Sequence, residues 1–92
     1  MTNINIVYDE LKNIADSMLF NGWQYVTKNN NRIILNKKYH ELECVDIEFS
    51  EYTIHFSLPL KNSTYSFYNR FNINNTDNSA VTFFNNYIND II

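Results

Sequence analysis

Residues 51–71, "EYTIHFSLPLKNSTYSFYNRF", alternate apolar and polar side chains almost without interruption. In an extended chain Tyr52, Ile54, Phe56, Leu58 and Leu60 share one side, and Thr53, His55 and Ser57 share the other. After Lys61-Asn62-Ser63-Thr64 the alternation resumes, with Tyr65, Phe67 and Phe71 opposed to Ser66, Tyr68 and Arg70. A period of two across a short polar interruption predicts two antiparallel strands with one buried and one wet face.

The same pattern extends toward the N-terminus. "ELECVDIEF" (41–49) leads into Ser50-Glu51, while "WQYVTK" (23–28) and "RIILNK" (32–37) flank Asn29-Asn30-Asn31. Asn tolerates positive φ better than any residue except Gly, so the Asn run is expected to turn through the left-handed region. Short connections favour neighbouring strands, and a five-stranded antiparallel meander from Trp23 to Ile73 follows.

Outside the meander the period changes to that of a helix. Val7, Leu11, Ile14, Ala15 and Met18 form one stripe, with Asn3 or Asn5 available as a cap and Asn21-Gly22 as a left-handed stop, so a helix is expected from about residue 4 to about 20. In the tail, Ala80, Phe84, Tyr87, Ile88 and Ile91 repeat the spacing, with Asp77, Asn78 or Ser79 to cap it. The expected fold is a two-layer α+β sandwich, α-β-β-β-β-β-α, with both helices on one face. Ninety-two residues make one domain, 1–92, and the wealth of aromatic residues can fill its core without disulfide or metal staples. Val7, Leu11, Ile14, Phe56, Phe71, Phe84 and Ile88 are the expected centre of that core.

Loop lengths convert this outline into a register. A two-residue turn at Ser50-Glu51 pairs Phe49 with Tyr52, Ile47 with Ile54, Val45 with Phe56, Glu48 with Thr53 and Asp46 with His55. A four-residue loop at 61–64 pairs Leu60 with Tyr65, Leu58 with Phe67, Ser57 with Tyr68, His55 with Arg70 and Ile54 with Phe71. It also pairs Phe56 with Asn69, a mismatch that a bulge in the fifth strand would relieve. In the third strand, Leu42 and Cys44 alternate out of phase with Val45, Ile47 and Phe49. A bulge at Cys44-Val45 is expected to turn all five inward and keep Glu43 out of the core.

Asp46, His55 and Arg70 thus form a row on the open face, with Glu48 and Tyr68 beside it. A solvated sheet face with cross-strand charge pairs accounts for such a row by itself. The same residues also suit a partner-binding surface, in which a His between an acid and a cation responds to pH. A ribonuclease-like use of His55 and Arg70 for acid–base work and phosphate stabilisation is the catalytic version, although the spacing matches no such motif.

Charge is segregated along the chain. Lys28, Arg32, Lys37 and Lys38 occur with no acid between residues 17 and 40, whereas Glu41, Glu43, Asp46, Glu48 and Glu51 follow with no base between 41 and 51. Adjacent strands pairing their charges, Lys38 with Glu41 and Asn36 with Glu43, explain this simply. A secondary basic patch at the first hairpin that steers a partner is the alternative.

The remaining signals mostly exclude. The single Cys44 cannot form an internal disulfide, and with two His it cannot complete a structural zinc site, so no metal or other cofactor is expected. Cys44 lies in an apolar run, as a buried thiol would. Trp23 reads as a core residue. The only glycine, Gly22, lies at a helix end, so no phosphate-binding loop exists. No charged leader and no long apolar run is present, which points to a cytoplasmic protein, in its own cell or an infected host, that is either monomer or homodimer. Seventeen Asn against one Gly, one Pro and two Ala fit an AT-rich genome rather than a function.

From these features the expected function is a non-catalytic protein-binding module. Its size, acidity and composition suit a small inhibitor from a phage or mobile element, directed at a host protein such as a defence nuclease. Single-stranded nucleic-acid binding through Tyr68, His55 and Arg70 is the alternative, opposed by a net charge of −3. A ribonuclease-like enzyme is the third.

Overall fold

Apolar spacing in the first segment builds a helix, α1 (Ile4–Met18), that tightens into a 3-10 turn at Leu19–Asn21. Gly22 then takes φ 87°, the left-handed stop expected there. The computed structural model describes residues 4–60, 65–72 and 79–91. The proposed caps Asn3, Asp77 and Asn78, the 61–64 loop, and the side chains of Asn5, His40, Glu41, Leu42 and Ile91 lie outside what it describes, and Asn5 falls within α1 and not before it.

Five strands follow: β1 (Trp23–Lys28), β2 (Arg32–Lys37), β3 (His40–Phe49), β4 (Thr53–Pro59) and β5 (Ser66–Asn72). They pair antiparallel in sequence order, and α2 (Ser79–Ile91) completes the α+β arrangement. Both helices lie on one face of the sheet. Tyr8 of α1 meets the Phe49 ring edge-on at 4.9 Å, and Phe84 of α2 stacks on Phe56 at 5.5 Å. Val7, Leu11, Phe56, Phe84 and Ile88 are buried together, with Ile14 and Phe71 packed against them. Trp23 joins this core.

The β1–β2 turn works differently from expectation. None of Asn29, Asn30 and Asn31 has positive φ; the only non-glycine that does, among the described residues, is Tyr39 (φ 68°) between β2 and β3. Instead the Asn29 side-chain oxygen accepts the N–H groups of Asn31 and Arg32, both at 2.9 Å, closing the turn with a side chain. β1 itself is bulged, with Val26 the extra residue between the rungs Tyr25–Leu35 and Thr27–Ile34.

The β4–β5 register agrees pair for pair, from Thr53–Asn72 to Pro59–Ser66. No bulge relieves Phe56 opposite Asn69. As β5 is the sheet's last strand, Asn69 reaches solvent over its edge, where its side-chain oxygen accepts the Arg70 N–H at 3.0 Å. Leu60 and Tyr65 pair as expected but are exposed rather than core.

Two other readings need correction. The β3–β4 turn is Glu51-Tyr52, one residue further along, because Ser50 pairs with Thr53 through a 2.9 Å backbone bond and a hydroxyl–hydroxyl contact. Tyr52 is therefore exposed, and Phe49 faces Ile54, Ile47 faces Phe56 and Glu48 faces His55. Each partner moves by two residues, so every side chain that stays in the ladder keeps its face, and Tyr52 alone leaves it for the turn. The irregularity in β3 lies between His40 and Cys44, where the rungs pass from Lys37–His40 to Asn36–Cys44. Cys44 consequently alternates with buried Val45 and lies on the open face, while Asn36 faces Cys44 and not Glu43.

Candidate functional site

Two rungs of side chains cross the face that the helices leave uncovered. The first runs Arg32, Glu48, His55, Arg70 across β2 to β5; the second runs Ile34, Asp46, Ser57, Tyr68. The expected row of Asp46, His55 and Arg70 is therefore corrected by one member. Glu48 stands across from His55, and Asp46 occupies the neighbouring rung. All five expected partner-binding residues nevertheless converge, because Asp46, Glu48, His55, Tyr68 and Arg70 line one open groove of about 520 Å³.

Arg32 is the member that the linear reading assigned elsewhere. It sits across from Glu48, yet its guanidinium forks diagonally onto Asp46, Nε to Oδ1 at 3.0 Å and Nη2 to Oδ2 at 2.9 Å. Glu48 stays at 3.6 Å from the same nitrogen. The fork matches the planar geometry of a carboxylate, and it holds the guanidinium above its usual range. At the far side of the groove, the Tyr68 ring is 80% exposed, and the Arg70 guanidinium has no ion pair among the described residues.

The basic patch expected at the first hairpin does not assemble. Lys28 lies 3.6 Å from Asp16 of α1 and 4.6 Å from the Tyr25 ring centre, which takes it toward the helix layer. Lys37 pairs with Glu43 at 3.8 Å, Arg32 with Asp46, and Lys38 stays exposed in the β2–β3 turn. Three of the four cations are thus matched by acids, two of them (Arg32 with Asp46, Lys37 with Glu43) between the adjacent strands β2 and β3 and one (Lys28 with Asp16) onto α1.

Beyond the groove, Ile34 and Cys44 lie half-buried on the same open face, with Val26 58% exposed on the bulge of β1. Burial pushes the Cys44 thiol up, with Asp46 adding to the effect, so it stays protonated and a poor nucleophile at neutral pH. The Asn36 side-chain oxygen, across from Cys44, is buried without a hydrogen-bond partner among the described residues. Among the described residues no group of three His, Cys, Asp or Glu side chains converges as metal ligands, and no helix is long and apolar enough to cross a membrane.

No known family, curated protein or solved structure matches this chain. The site has to be read from its own chemistry. The groove combines a neutralised Arg–carboxylate fork at one end with an aromatic ring and a guanidinium that has no ion pair among the described residues at the other. That arrangement can hold a partner's aromatic or acidic side chain against Tyr68 and Arg70. It suits a phosphate chain poorly, because Asp46 and Glu48 lie in the same groove.

Proposed function

We propose that the open sheet face is a protein-docking surface and that the chain acts by occupying a partner, not by catalysis. The observation that carries this reading is the pair Tyr68 and Arg70, two residues apart on β5 and presented together over the groove. Tyr and Arg are the side chains that most often anchor protein interfaces. The apolar flank at Val26, Ile34 and Cys44 supplies area that a partner can cover, and the Asn36 oxygen, without a hydrogen-bond partner among the described residues, can accept from it. Small size, acidity and AT-coded composition favour an inhibitor from a phage or mobile element, with a host defence protein such as a nuclease as its target.

The test is capture from bacterial lysate with quantitative mass spectrometry, comparing the wild type with Tyr68→Ala and Arg70→Ala. A true partner is retained by the wild type and held about thirtyfold more weakly by each variant, the size of an anchor truncation. Equal capture by folded variants overturns the assignment of this face. His55→Ala separates the rivals, since an inhibitor keeps most of its effect while a ribonuclease relying on His55 loses turnover of RNA. Salt-sensitive retention of single-stranded RNA by the wild type would instead favour a stacking role for Tyr68.

A further inference from the structure

The edge of β5 poses a question separate from its face. β5 closes the meander, so among the described residues no further strand pairs with its outer side. The Leu60 N–H donates to the Tyr65 carbonyl at 2.9 Å, which makes that pair a hydrogen-bonded rung, and the register continues from there without a shift. In an antiparallel ladder such rungs alternate, so Phe67, Asn69 and Phe71 bond inward to β4. Ser66, Tyr68, Arg70 and Asn72 aim their backbone groups outward. The Arg70 N–H bonded to the Asn69 side chain is one of these outward groups.

The two edges of the sheet are treated differently. β1 carries the Val26 bulge and Lys28, both devices that discourage another strand from adding. β5 is regular over residues 66–72 and contains no Pro, Gly or Lys. Its sequence, Ser-Phe-Tyr-Asn-Arg-Phe-Asn, also has similar chemistry read from either end.

We propose that β5 pairs with the β5 of a second copy of this chain, antiparallel about a two-fold axis at Asn69. In this register Phe67 meets Phe71, Tyr68 meets Arg70 and Ser66 meets Asn72, and each meeting occurs twice, as an isologous contact requires. The Phe pairs extend the helix-covered layer. The Tyr–Arg pairs extend the open face, where a guanidinium over an aromatic ring is favourable.

Ladder geometry and side-chain facing restrict the alternatives to slips of two residues. One slip sets Arg70 against Arg70; the other sets Phe67 against Asn69. Only the proposed register matches apolar with apolar and avoids like charge. The Asn69 side chain must release the Arg70 N–H, which then donates to the Tyr68 carbonyl of the second copy. The dimer brings the two grooves side by side on one continuous face. This association stands on the backbone edge of β5 but engages Tyr68 and Arg70, the side chains that the docking reading also uses, and sedimentation of the chain alone tests it without any partner.

A strand-edge contact of this length is small, so the dimer is expected to dissociate in roughly the 10–100 µM range. Sedimentation velocity over a concentration series measures it on the full chain. Tyr68→Glu sets a carboxylate opposite Arg70 of the second copy, whereas Tyr68→Lys sets a like charge there. The glutamate variant should associate at least as tightly as the wild type, and the lysine variant about tenfold or more weakly, with the gap closing at high salt. Tyr68→Lys combined with Arg70→Glu should restore the dimer. Thermal melts confirm that each variant folds. A wild type that sediments as monomer at every concentration overturns the proposal. So do two Tyr68 variants that weaken association alike, or two that leave it unchanged.

Discussion

Arg32 grips Asp46 across the diagonal of the open face with two hydrogen bonds, at 3.0 and 2.9 Å, although its direct cross-strand neighbour is Glu48. The pair neutralises one end of the groove, while Arg70 at the other has no ion pair among the described residues. Removing the acids should therefore unmask Arg32. Asp46→Asn with Glu48→Gln is expected to produce salt-sensitive retention on heparin or single-stranded DNA that the wild type lacks. Chromatography at stepped ionic strength checks this, and a double variant eluting with the wild type would show that the fork does not suppress anion binding.

The core prediction concerns one residue from each helix. Leu11 and Phe84 are fully buried, and Phe84 stacks on Phe56. Leu11→Ala or Phe84→Ala should each cost about 2–5 kcal/mol, the lost transfer energy plus the cavity left behind. Urea denaturation midpoints measure it, and unchanged midpoints would remove both residues from the core.

Gly22 provides a test of backbone conformation free of packing. A Cβ placed there meets nothing within 4 Å, so only the left-handed φ of 87° opposes a side chain. Gly22→Ala should destabilise by about 1–2 kcal/mol, and Gly22→Asn by less, because Asn tolerates this region. Equal losses in the two variants would mean that crowding, not φ, sets the cost.

Two tyrosines should resist alkaline titration. Burial pushes the Tyr25 hydroxyl well above the usual range, helped by its 2.5 Å bond to Asp16. Burial likewise raises Tyr87, which donates to the Pro59 carbonyl at 2.5 Å. A raised folded pKa stabilises the fold below the unfolded value of about 10 and is lost as pH climbs past it. Tyr25 and Tyr87 should ionise only as the fold opens. Absorbance at 295 nm beside circular dichroism checks this. Tyr25→Phe should remove one of the late ionisations.

Periodicity alone was enough for the architecture. A helical stripe at Val7, Leu11 and Ala15, a period of two from Trp23 onward and the stripe through Phe84 and Ile88 are local facts about which side chains share a side. The β4–β5 register followed from loop length, and between β3 and β4 the paired residues kept their faces although the pairing was wrong, because an error of two residues leaves the pleat unchanged; Cys44, expected inward, did not. Glu48 therefore replaced Asp46 opposite His55 without leaving the groove. What the chain could not announce were decisions that depend on contacts between strands. The turn moved to Glu51-Tyr52 because Ser50 and Thr53 bond each other, and the irregularity in β3 fell before Cys44 because Asn36 pairs with it. The reach of Arg32 to Asp46 also needed two strands in place, since a diagonal ion pair has no signature in linear spacing. Side-chain pattern is written residue by residue, whereas bulges and long-range ion pairs arise only when two segments compete for the same hydrogen bonds and charges.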